Sequence, residues 1–152
     1  MKPFAVVFLS TLLFFSQGTI NFGEEPPVTV AVMDFAIPEG SDLVAEDVSI
    51  LLTTLLSTDG ALALVEREEL SKVMGEMELG LSGTVDEATA AQVGQLTGAK
   101  VIVTGRMFSA GKTNFMAAKV IGTDTSRVFG HVEQYGESSN FAEAASALAE
   151  GL

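Results

Sequence analysis

The sequence predicts a single α/β domain: a mixed sheet of about five strands in the order β-α-β-α-α-β-β-β-α, with helices packed on the sheet. Three observations lead there. The length of 152 residues suits one domain with its own core. Short apolar runs bounded by glycine, proline and aspartate alternate with amphipathic helical stripes through the first two thirds of the chain. The last third then carries strand-like runs without helices between them, which calls for antiparallel neighbours.

The elements follow in order. Residues 1–18 read as a secretory signal peptide: Lys2, an apolar run from Phe4 to Phe15, and Ser16-Gln17-Gly18 with small residues at the cleavage positions. That run is too short to span a bilayer, which takes roughly 20 apolar residues. Residues 19–27 read as a flexible lead-in, and 28–152 as the folded domain. Val28 to Phe35 is an apolar run stopped by Pro38-Glu39-Gly40, as expected of a central strand buried on both faces. Ser41 or Asp42 offers an N-cap to a helix whose apolar stripe is Val44, Val48, Leu51, Leu52 and Leu55. Asp59-Gly60 stops it, and Ala61 to Val65 forms the second strand. Strand, helix and strand joined by short links make the two strands parallel neighbours.

Glu66-Arg67-Glu68-Glu69 opens a second helix, its acidic first turn matched to the positive end of the helix dipole. Leu70, Val73, Met74 and Met77 are its buried stripe. Thr84 with Glu87 forms a capping box for a third helix, which Gly98 ends in the left-handed conformation. Ala99 to Gly105 is the third strand, and a loop from Phe108 to Asn114 follows. Phe115 to Gly122 and Arg127 to Tyr135 then read as a hairpin. Asn140 caps a final alanine-rich helix from Phe141 to Leu152.

Composition excludes several functions. With 8 basic and 20 acidic residues the chain carries a charge of −12, which repels a phosphate backbone, so no nucleic-acid partner is expected. There is no cysteine and one histidine, His131, which removes disulfides, thiol catalysis, lipid attachment at a cysteine and Cys/His zinc sites. No catalytic residue, cofactor or metal site is expected. Gly105 with Gly111-Lys112-Thr113 imitates a phosphate loop, but five residues stand where the motif has four, and a strand follows where the motif opens a helix. A plain strand-to-strand turn is the expectation. His131 reads as a filler on one face of the last strand, with Phe129, Glu133 and Tyr135.

Asp34 and Arg67 stand apart. Each lies at the C-terminal end of a buried parallel strand, the edge where open α/β sheets place ligand crevices. With the adjacent Glu66 they form a candidate partner or structural rim. Arginine suits a bidentate contact with a carboxylate, so an ion pair is one reading and a binding rim the other.

The strings Val30-Ala31-Val32-Met33-Asp34-Phe35, Leu64-Val65-Glu66-Arg67-Glu68-Glu69-Leu70, Gly83-Thr84-Val85-Asp86 with Ala90, Gly94 and Gly98-Ala99, and Val103-Thr104-Gly105-Arg106-Met107 together resemble the CsgG family. The resemblance covers residues 28 to about 122. It implies a periplasmic α/β domain, similar to the LpoB-type synthase activators and the FlgT and TolB amino-terminal regions, with no enzymatic activity. It also implies binding to other cell-envelope proteins, or to further copies of the chain, from a periplasmic or outer-membrane-associated position. The curli channel of this family adds a lipid and long membrane hairpins; this chain has no cysteine for the former, and its loop from Phe108 to Asn114 is too short for the latter. The expected function is therefore a non-enzymatic periplasmic binding or adaptor domain supporting envelope assembly or curli-like secretion. One alternative is a subunit of a secretion channel whose membrane hairpins come from other chains. The other is a small carboxylate-dependent hydrolase.

Overall fold

Apolar runs with period 2 and stripes with period 3.6 have to bury opposite faces of the same sheet, and the chain does this in three layers. The computed structural model describes residues 25–77, 85–136 and 141–152. The expected signal peptide, most of the lead-in, the Thr84 cap and the Asn140 cap lie outside the described residues. The elements are β1 (Val28–Val32), α1 (Ala45–Leu56), β2 (Leu62–Leu64), α2 (Arg67–Glu76), α3 (Glu87–Thr97), β3 (Val101–Ala110), β4 (Thr113–Gly122), β5 (Val128–Tyr135) and α4 (Phe141–Glu150). The sheet order is β2-β1-β3-β4-β5, a mixed five-stranded sheet in the expected succession of strands and helices. β1 runs parallel to both β2 and β3, and β3, β4 and β5 are successively antiparallel.

Alternate residues of β1 feed two separate cores. Val30 and Val32, with Phe35, Val103, Met107, Met116 and Ala118, pack against Val48, Leu52 and Leu56 of α1 and Ala145 and Leu148 of α4. Ala31 and Met33, with Ile102 and Ile121, pack against Leu70 and Met74 of α2 and Ala90 and Val93 of α3. This is the doubly covered arrangement that a parallel strand requires. Past Val32 the chain stays beside β3: Met33 N–H donates to Val103 O at 2.8 Å, Ala36 N–H to Gly105 O at 2.9 Å, and Met107 N–H to Ala36 O at 2.8 Å. Phe35, fully buried, fills the space over Gly105; a Cβ there would stand 2.4 Å from the Phe35 ring and 2.3 Å from Ala117 O, so only glycine fits.

Three expectations are adjusted. The N-cap of α1 is Val44, with no side-chain cap bond, because Ser41 Oγ instead accepts from Leu43 N–H at 3.2 Å in a tight local turn. Helix α3 is capped by Asp86, whose Oδ1 accepts from Thr89 N–H at 2.7 Å, while Gly98 ends it at φ +74° as expected. β3 runs on to Ala110 and pairs with β4 up to Ala110↔Thr113, so most of the expected loop is strand and the connection is the two-residue turn Gly111-Lys112. That turn joins two strands and opens no helix, as the spacing of the false phosphate loop implies.

Candidate functional site

β1 is followed by a helix on one face of the sheet and β2 by a helix on the other, so their connections diverge at the C-terminal ends of two adjacent strands. Open α/β sheets bind ligands outside the carboxyl ends of their strands, and this edge is one such end. Asp34 lies two residues beyond β1, and Arg67 is the first residue of α2, three beyond β2. The crossover therefore brings them to the same edge.

They meet as a bidentate pair. Arg67 Nη1 donates to Asp34 Oδ1 at 2.7 Å and Nη2 to Oδ2 at 3.0 Å. Ser49, buried on α1, donates its hydroxyl to Asp34 Oδ1 at 2.6 Å and accepts from Arg67 Nη1 at 2.9 Å. Arg67 Nε reaches Glu46 Oε1 at 3.2 Å. The cluster thus ties the start of α2, the first half of α1 and the end of β1 together. It is buried unevenly: 12% of the Asp34 side chain is exposed, 30% of Arg67 and 58% of Glu46.

Burial by itself would raise the Asp34 pKa, but the hydrogen bonds from Arg67 and Ser49 and the guanidinium charge outweigh it, and the carboxyl is held below its ordinary range. Arg67 is pushed the other way, chiefly by its hydrogen bond to Asp34, against the cost of its own burial. The pair stays ionised at neutral pH. Glu66 is the N-cap residue of α2; its side chain makes no capping bond and is exposed. Beside the cluster runs an open groove of about 290 Å³ between α1 and the β2–α2 link, lined by Ile50, Thr53, Leu64, Val65, Glu66 and Arg67 among others. Asp34 is thus set behind Arg67, while Glu66 and Arg67 border the groove.

Ser49 and Glu46 escaped the sequence reading. Ser49 follows Val48 and precedes Leu52 by one turn, so it falls on the buried face of α1, and a lone hydroxyl on an apolar helix face is the signal that could have found it. His131 faces along β5, its Nε2 2.7 Å from Glu133 Oε1. Among the described residues no group of three or more His, Cys, Asp and Glu side chains could hold a metal ion, and no helix is long and apolar enough to cross a membrane.

A doubly wound strand-helix unit continued by antiparallel strands, with a carboxylate–guanidinium pair at the C-terminal edge of β1 and β2, defines an α/β domain. The family described as "Curli production assembly/transport component CsgG" matches residues 25–114, more than half of the chain, and the chain belongs to the CsgG family. Comparison with the curated proteins gives no match. Among solved structures, the fold is similar to the LpoB C-terminal domain from Salmonella enterica, with TM-score 0.63, 14% identity, and coverage of 76% of this chain and 87% of that one. It is similar to TolB from Acinetobacter baumannii, with TM-score 0.55 and 12% identity, over 83% of this chain but 27% of that one. It is also similar to the lipoprotein GNA1162 from Neisseria meningitidis, with TM-score 0.54, 10% identity, and coverage of 82% and 93%. At these identities the likeness concerns the fold.

Proposed function

We propose that this CsgG-family domain is a non-enzymatic adaptor of the cell envelope, exported to the periplasm, which holds other envelope proteins during envelope assembly or curli-like secretion. The observation that carries the reading is that the polar groups Asp34, Ser49 and Arg67 at the C-terminal edge of β1 and β2 are committed to one another. A general base or nucleophile needs a free lone pair and a pKa near the working pH. Asp34 has both oxygens on Arg67, a third bond from Ser49, and a pKa displaced away from neutrality. What remains presented at that edge is a contact surface: the half-exposed Ile50, the exposed Glu66 and the outer edge of Arg67. Family membership and the likeness to the LpoB domain support the envelope setting.

The test uses the exported domain as bait in a crosslinking capture from envelope fractions, with Ile50→Asp and Glu66→Lys as variants. Both side chains stand at the surface, so the fold should persist while capture of the wild-type partner falls. Retention of the same partner by both variants would remove the groove from the proposal. Turnover of a nucleotide or ester substrate that disappears in Asp34→Asn would replace the adaptor by a carboxylate-dependent hydrolase.

A further inference from the structure

β5 is the long free edge of the sheet: it is registered with β4 on one side, and no strand pairs with its other side among the described residues. Its register decides which backbone groups look outward. Gly122 N–H donates to Arg127 O at 2.9 Å, so that pair is hydrogen-bonded, and the alternation of an antiparallel ladder makes Val120↔Phe129, Ala118↔His131 and Met116↔Glu133 hydrogen-bonded as well. The N–H and C=O groups of Gly130, Val132 and Gln134 therefore point away from the sheet. Natural edges are usually blunted by lysine, proline, a bulge or short length. β5 has eight residues in unbroken register and none of these devices, and its Val128, Phe129 and Val132 are 43%, 65% and 54% exposed. Helix α4 lies on the sheet face that carries His131 and Tyr135, where Phe141 meets the Tyr135 ring edge-on at 6.3 Å.

The edge is also complementary to itself. Around Val132, His131 mirrors Glu133, Gly130 mirrors Gln134, and Phe129 mirrors Tyr135. We propose that a second copy of this chain pairs antiparallel with β5 about a two-fold axis between the two Val132 residues, joining two sheets into one. In that register Val132 exchanges both outward backbone bonds with the partner's Val132, and Gly130 does so with the partner's Gln134. On the α4 face His131 lies opposite the partner's Glu133 and Phe129 opposite the partner's Tyr135, the two kinds of cross-strand pair that stabilise sheets. Moving the axis by one residue sets His131 or Glu133 against its own copy. Moving it by two sets either against an aromatic ring. The chain's charge of −12 opposes association, and salt relieves that opposition, so the dimer is sought at physiological ionic strength or above.

Sedimentation of the full chain over a concentration series should show a monomer–dimer equilibrium. Val132→Pro removes an outward N–H that β4 does not use, so the circular dichroism should persist while dimerisation weakens about tenfold or more. The chain has no cysteine, so Val132→Cys gives one thiol per copy, and directly opposed residues of a hydrogen-bonded pair lie about 5.5 Å apart, within disulfide range. It should oxidise to a covalent dimer, whereas Leu96→Cys, exposed on α3, should not. His131→Glu should weaken the dimer, and adding Glu133→His should restore it. A chain that stays monomeric at every concentration, a dimer indifferent to Val132→Pro, or equal crosslinking through Leu96→Cys would overturn the proposal. So would a head-to-tail ring, in which Val132→Cys cannot meet its own copy. If Val132→Pro fails to fold, the crosslinking and charge-exchange variants decide.

Discussion

The parallel and antiparallel halves of the sheet solve the same burial problem differently. β1 and β2 are short, registered only from Val28↔Leu62 to Val30↔Leu64, with helices on opposite faces. β3 and β4 are registered from Val101↔Gly122 to Ala110↔Thr113, and β4 and β5 from Asn114↔Tyr135 to Ile121↔Val128. Their outer parts have a helix, α4, on one face, while on the other Val132 stands exposed and Arg106 lies 5.1 Å over the Phe108 ring. The parallel half thus depends on helices and on an ion pair to hold its crossover, whereas the antiparallel half depends on a long ladder. Damage to side chains should therefore be felt more in the first than in the second.

The sharpest way to break this comparison is at the seam. Phe35 joins the halves, since it follows β1, packs with Val48 and Leu52 of α1, and covers Gly105 of β3. Phe35→Ala should cost about 3 to 5 kcal/mol, the range for removing a buried aromatic ring where little can collapse into the space. Denaturant melts followed by circular dichroism would show it. A cost under about 1 kcal/mol would mean that the seam relaxes, and that the halves are less tightly joined than the packing implies.

The ion pair comes next. Asp34 is nearly buried and Arg67 partly exposed, so the loss on removing either partner should fall between the exposed and buried limits, at about 2 to 3 kcal/mol. A double-mutant cycle of Asp34→Ala and Arg67→Ala should give strongly non-additive costs, and additivity would show that the charges do not stabilise each other. pH gives an independent reading. Because the Asp34 pKa is lowered on folding, its contribution is fully present above the unfolded value of about 3.9 and fades as pH falls through the lower folded value. The stability difference between wild type and Asp34→Ala should stay level above about pH 5 and shrink below about pH 4. Arg67 has a raised pKa outside that window and leaves the profile unchanged.

The same contrast explains what could be read from the sequence. Crossover logic is strict for parallel strands, so the meeting of Asp34 and Arg67 was legible from Val28 to Arg67 alone. The third partner was not, because Ser49 joins the ion pair only through its position on the buried face of α1. In the antiparallel half, Phe108 to Asn114 reads as a loop, since Ser109, Gly111, Lys112, Thr113 and Asn114 hide a ladder that runs on to Ala110↔Thr113. Helix caps were the other miss. Ser41 and Asp86 have the same capping chemistry, and only the local turn decides that Ser41 serves Leu43 N–H while Asp86 serves Thr89 N–H.

The smallest effect belongs to the far end of the antiparallel half. Lys112 sits in the two-residue turn between β3 and β4, exposed, with the ladder already closed by Ala110↔Thr113. Lys112→Ala removes a solvated charge and no backbone bond, so stability should change by no more than about 0.5 kcal/mol. Because the turn opens no helix, it presents no row of free amide groups to an anion, and the variant should bind ATP no differently from the wild type. Equilibrium melts and a nucleotide titration measure both. A loss of nucleotide binding in Lys112→Ala would turn the false motif into a real one. A stability loss well above about 0.5 kcal/mol would instead say that the hairpin depends on its turn. That result would undo the contrast, since the antiparallel half would then rest on a single side chain just as the crossover rests on Asp34 and Arg67.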